Sequence, residues 1–189
     1  MSAPGDAELL ISARAALLDA LQALDAHRDA LVLIGAQAIY LHTGAAPVAL
    51  AEATKDSDLA IDPRALGRDP RIDDSMTRAG FHRDLRDPQP GSWLSPTGIP
   101  VDLMVPEALA GSGGRRGARI PPHSRHATRR TPGLEAAVVD HAPMTITALD
   151  PADTRAARIA VAGPAALLVS KLHKLAERAQ QTGRLVDNR

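Results

Sequence analysis

The sequence contains no cysteine, and its 189 residues include one Phe, one Trp and one Tyr (Phe81, Trp93 and Tyr40). The first absence removes disulfides, thiolate nucleophiles and Cys-containing zinc sites, and it is compatible with a reducing cytosol. The second leaves almost no aromatic platform for stacking bases, so any contact with nucleic acid has to be mostly electrostatic. No apolar run approaches membrane-spanning length, and the amino terminus carries Asp6 and Glu8 in place of the basic n-region of a secretory signal. These absences predict a cytoplasmic chain that does not enter a membrane. Gly-Lys-Ser and Gly-Lys-Thr are missing, which excludes a Walker phosphate loop, and no Gly-x-Ser-x-Gly elbow supports a serine hydrolase.

What is present is enough for a core packed from Ala, Val, Leu and Ile, since 44% of the residues are hydrophobic. Length predicts one α/β domain over residues 1–162, including a basic loop at 111–130, followed by a C-terminal helical segment at 163–189. Net charge is zero, but it is unevenly placed: residues 1–110 hold 9 basic and 16 acidic side chains, residues 111–189 hold 13 and 6. Such a split suits an acidic part that holds cations beside a basic part that holds a polyanion, although solvated surfaces can also produce it.

Apolar residues recur at helical spacing from Ala7 to Ala26 (Leu10, Leu17, Leu21, Leu24), which predicts an amphipathic helix. The run Ala30 to Ile34 ends at Gly35 and reads as a buried strand with a tight turn, with a helix following from Gln37 to His42. Strands are expected at Ser57–Ile61 and Ile99–Val105, each ended by a proline, with a helix between them from Ile72 to Ala79. Asp73 and Asp74 fall in that helix's first turn, where they favour its dipole. Residues Gly111 to Arg130 hold six arginines and two histidines with no apolar period, which predicts a long mobile loop. Three further short strands (Ala136–Asp140, Met144–Leu149, Arg158–Val161) and a helix from Pro164 to about Gln180 complete a small mixed sheet flanked by helices.

Asp56 and Asp58 stand two apart at the start of one expected strand, so period-two alternation places both on one face. Asp102 lies in the middle of another strand. An Asp-x-Asp pair in isolation usually caps a loop, but a carboxylate inside an apolar strand is costly without a partner. Two carboxylates on one strand and a third from a neighbour could hold two Mg²⁺ ions for phosphoryl transfer. Asp56 and Asp58 would be shared ligands, and Asp102 would hold the metal beside the nucleophile and accept its proton.

The segments Leu31-Val32-Leu33-Ile34-Gly35-Ala36-Gln37-Ala38, Thr54-Lys55-Asp56-Ser57-Asp58-Leu59 and Pro100-Val101-Asp102-Leu103 resemble the nucleotidyltransferase fold of the DNA polymerase beta superfamily, and within it the AbiEii-type toxin branch. Lys171-Leu172-His173-Lys174 and Arg178 resemble the Lys-rich helix of that branch. The resemblance spans about residues 30–180. It implies an NTP substrate, transfer of NMP to a hydroxyl with pyrophosphate leaving, an RNA acceptor such as tRNA, and a toxin role that brings a cognate antitoxin as partner. Gly35, Ala36, Lys171 and Lys174 are then the nucleotide-binding candidates, the first two through backbone amides at a helix start. Gly35-Ala36 replaces the usual Gly-Gly or Gly-Ser and so lacks a phosphate-binding hydroxyl. Glu52 stands where the branch often has an arginine, and the chain reaches Arg189 without the helical extension common there, an expectation of a truncated C-terminal end.

Two other readings stay open. The chain could bind RNA or a partner protein through its basic half without catalysis, or it could be a metal-free interaction domain, which requires arginines to neutralise the acidic strand residues. Arg115, Arg116, Arg119, Arg125, Arg129 and Arg130 suit phosphate contacts. His123 and His126 have a metal-like spacing but no third ligand near in sequence, and are expected to be a solvated loop pair.

Overall fold

The computed structural model describes residues 4–44, 56–85, 88–112 and 116–187, without the side chains of 4–6 and 180–187. Thr54-Lys55, Glu52 and Arg115 lie outside the described residues.

Helix α1 (Pro4–Ala23) buries Ala13, Ala16, Leu17, Ala20, Leu21 and Leu24, the last just beyond its end. That spacing of three and four is one face of a helix turned to the core. The expected helix to Ala26 stops short, because Asp25–Ala30 forms a 3-10 turn kinked at His27 (φ −115°). The kink turns His27 inward, where its Nε2 meets the carbonyl oxygen of Pro70 at 2.6 Å.

Strand β1 (Leu31–Ile34) is buried along its whole length and runs directly into α2 (Gly35–Thr43). Strand β2 (Ser57–Ile61) occupies the expected range, and α3 (Ile72–Arg78) nearly so. Strands β3 (Ser92–Leu94), β4 (Pro100–Pro106) and β5 (Arg129–Thr131) follow, then β6 (His141–Thr147), β7 (Ala156–Ala162) and α4 (Pro164–Asp187).

All seven strands join one mixed sheet in the order β3-β4-β2-β1-β7-β6, with β5 also on β4. The pairs β4/β2, β1/β7 and β4/β5 are parallel, the others antiparallel. The expected small mixed sheet flanked by helices is therefore the architecture. Ser57 Oγ donates to the carbonyl of Ala13 at 3.0 Å, so this side of β2 faces α1. By alternation Asp58 faces the opposite side, toward α2. A buried arginine ties three elements together: Arg14 of α1 donates to Gln37 Oε1 (2.9 Å) and to the carbonyl of Thr147 (2.8 Å).

Three expectations are corrected. Residues 111–130 do not form an open mobile loop: among the described residues, Ala118, Ala127, Thr128 and His123 are buried. Ala118 N–H donates to Thr128, Arg130 N–H to Arg116, and Trp93 Nε1 to the carbonyl of Ala127. Small alanines without a period fill this core, and so they leave no signal of helix or strand. Ala136–Asp140 is not a strand; Glu135–Val138 is a 3-10 turn whose Ala137 and Val138 are buried. The turn at Gly133 (φ +76°) sets its direction. The third correction concerns the histidines. His123 is buried, accepting at Nδ1 from Ile72 N–H (3.2 Å), with Nε2 at 2.8 Å from the carbonyl oxygen of Gly67. Burial lowers its pKa below the usual histidine range, while His126 is exposed beside Arg125.

Pro164 sits in the first turn of α4 as expected, where its missing N–H costs nothing. Asp140 Oδ2 accepts the N–H of Ala166 at 3.0 Å, capping that helix. Asp140→Ala is expected to lower stability by about 1 kcal/mol, read by thermal melting, because the helix start loses its side-chain acceptor.

Candidate active site

Register builds the site from four strands. Ile34 of β1 is opposite Asp58 of β2, Asp58 is opposite Asp102 of β4, and Asp102 is opposite Ser92 of β3. These four residues form one row across the sheet, and parallel pairing puts Asp58 and Asp102 on the same face. Asp56, immediately before β2, lies close enough for its charge to act on Asp58.

Asp58 is the most perturbed group of the site. Its pKa is pushed up from 3.8 to about 7, first by burial and then by the negative charges of Asp56 and Asp102; Lys174 and Arg129 pull it back. Among the described residues its carboxylate accepts no hydrogen bond. Gly35 presses against it from α2. A Cβ at Gly35 would lie 2.2 Å from Asp58 Oδ2, and the residue has φ +70°. A side chain is excluded there both by space and by backbone. Ala36 follows in the first turn of α2, half-buried.

Asp102 already has a cationic partner. Its Oδ2 accepts from Arg129 Nη2 at 2.6 Å, while Arg129 Nη1 donates to Gln89 Oε1 at 3.1 Å. Sequence reasoning placed Arg129 in a loop of phosphate-binding arginines. The structure puts it on β5, opposite Met104 and hence on the face of Asp102. Among the described residues, no three carboxylate or imidazole side chains stand together as a ready metal cage.

On α4, Lys174 is the lysine whose charge reaches Asp58; it and Lys171, three residues earlier, are both exposed. The other described arginines of the basic segment stay on the surface or half-buried. Arg119 and Arg130 donate to backbone carbonyls and Arg125 to His126.

The structure thus sets Asp58 opposite Asp102 with Gly35 against Asp58, within reach of the charges of Asp56, Lys174 and Arg129, and adds Gln89 through Arg129. Searches of curated proteins and of solved structures each return no significant match. Residues 12–188 match a family described as nucleotidyltransferase. With that match covering nearly the whole chain over a mixed sheet of the expected kind, the chain belongs to the nucleotidyltransferase family.

Proposed function

We propose that the chain is a Mg²⁺-dependent transferase that moves NMP from an NTP to a hydroxyl of RNA, with tRNA the favoured acceptor, in a toxin-like role in the cytoplasm. The observation that carries this is the opposed pair of Asp58 and Asp102 on adjacent central strands, with Asp56 beside them. All donors are hard carboxylate oxygens, which suits Mg²⁺, and the Asp58 carboxylate lacks a hydrogen-bonded partner, which a cation would supply. Asp56, Asp58 and Asp102 would hold two ions. Bound there, Mg²⁺ would activate the acceptor hydroxyl and neutralise charge on the departing pyrophosphate.

The chain's own groups have separate tasks. The amides at the start of α2, from Gly35 and Ala36, favour phosphate. Lys174 adds a cation on the α4 side, and Lys171 a second on the same helix. Asp102 accepts the proton of the attacking hydroxyl as the new bond forms at the α-phosphorus and the bond to the bridging oxygen breaks. Arg116, Arg119, Arg125 and Arg130, paired to no carboxylate among the described residues, suit an RNA backbone. The toxin role implies a cognate antitoxin as partner.

A second reading, a chain that binds RNA or a partner protein without catalysis, is favoured by one contact: Arg129 neutralises Asp102, as a metal-free site requires. Labelling separates the two. Purified protein with Mg²⁺, each α-labelled NTP and total tRNA is expected to transfer label to RNA, with roughly a 10³-fold loss for Asp56→Asn. If the natural protein transfers no label with any NTP while it binds RNA without metal, the binding reading replaces the transferase.

A further inference from the structure

The Arg129–Asp102 pair has the geometry of a latch. Met104 and Asp102 are two apart on β4 and face one way, and Arg129 is held opposite Met104 by the parallel pairing of β5. Side-chain exposures of 24% for Arg129 and 16% for Asp102 leave the pair only weakly screened. Its guanidinium also has a second anchor, Gln89 Oε1, on the other terminal nitrogen. A divalent cation held by Asp102 would stand beside this positive charge and compete for the same oxygen.

Three carboxylates (Asp56, Asp58, Asp102) face two cationic side chains, Arg129 and Lys174. Lys174 comes from a helix, while Arg129 comes from an edge strand of three residues, Arg129–Thr131. Arg129 therefore supplies the positive charge that touches Asp102 directly.

We propose that Arg129 is a latch that occupies the cation's place on Asp102 in the empty site and transfers to the polyphosphate when nucleotide binds. The inference rests on the metal-site reading above. The guanidinium fork that leaves a carboxylate suits a phosphate equally well, and Gln89 keeps the side chain near the site during the exchange. The consequence is coupling: without nucleotide the metal has to displace Arg129, whereas with nucleotide the displaced charge finds a new partner. Metal and nucleotide then strengthen each other's binding, as linkage demands.

The test measures Mn²⁺ affinity of the full chain by electron paramagnetic resonance, with and without an NTP analogue that cannot be cleaved between the α- and β-phosphates. Without analogue, Arg129→Gln is expected to bind Mn²⁺ roughly tenfold to a hundredfold tighter than the natural protein, as loss of a charge-assisted competitor would give. Adding the analogue should tighten Mn²⁺ binding by the natural protein more than by the variant. Arg129→Lys keeps a charge but loses the fork, and should lie between them; it carries the test if Arg129→Gln does not fold. Equal Mn²⁺ affinities for natural and variant protein overturn the latch and leave the metal site standing. Absence of Mn²⁺ binding by every form, with analogue present, overturns the metal-site reading and the latch with it.

Discussion

Asp58→Asn is expected to melt above the natural protein at pH 8 in chelator, and to have lost transferase activity. The carboxyl has a folded pKa of about 7 against 3.8 in its ordinary state, because it is buried beside Asp56 and Asp102. A raised acid stabilises the fold while protonated. That contribution is fully present below about pH 4 and is lost as pH rises through about 7. Taken alone, a shift of this size converts to about 4 kcal/mol. Asp58 keeps some exposure and shares the cost with two neighbours, so a gain of about 1–2 kcal/mol is expected for the asparagine. For a chain of this length that corresponds to roughly 2–8 °C in melting temperature. The two proteins should converge toward about pH 4, where the carboxyl is neutral in the folded and the unfolded chain alike, and diverge as pH rises from there through about 7. Turnover should fall by roughly 10³-fold or more, because the amide has no charge with which to hold a cation. Retained turnover would remove Asp58 from the site; equal melting at pH 8 would show that its ionisation costs the fold nothing.

This opposition of stability and activity at Asp58 was half legible in the sequence. An acidic residue inside an apolar strand already signals a cost, and period-two alternation together with the punctuation at Gly35, Pro63 and Pro106 located β1, β2 and β4. The row Ile34, Asp58, Asp102, Ser92 follows from register, which no local pattern contains. Arg129 was visible as a cation but not as the partner of Asp102. Its strand has three residues and is defined by pairing to a segment about twenty-five residues earlier. Trp93 and β3 escaped for a similar reason, because a strand of three residues around one aromatic offers no alternation to read. The basic segment misled in the opposite direction: its arginines advertise solvent, while Ala118, Ala127 and the bond from Trp93 Nε1 hold its backbone in the fold.

Gly35→Ala tests whether Asp58 is held in place by the start of α2. The substitution meets two obstacles. At φ +70° an L-residue is disfavoured by about 1 kcal/mol. Its Cβ would also stand 2.2 Å from Asp58 Oδ2, 3.0 Å from Cγ and 3.1 Å from Cβ, so the whole carboxylate has to move. Because Ile34 and Asp58 are paired across β1 and β2, the backbone of neither can yield without opening the sheet. The carboxylate therefore turns away from Asp102. A displacement of about 1 Å at a reacting centre costs about 10²-fold in rate, and strain of both kinds should lower stability by about 2–3 kcal/mol. Gly44→Ala provides the control. It too has positive φ, +58°, yet a Cβ there meets nothing within 4 Å among the described residues. Backbone strain alone should cost Gly44→Ala about 1 kcal/mol and leave turnover unchanged. If Gly35→Ala behaves like Gly44→Ala in both melting and turnover, the contact with Asp58 yields freely and α2 does not position the carboxylate. If it loses turnover far beyond its loss of stability, the glycine is there to let the helix start touch the acid that the reaction needs.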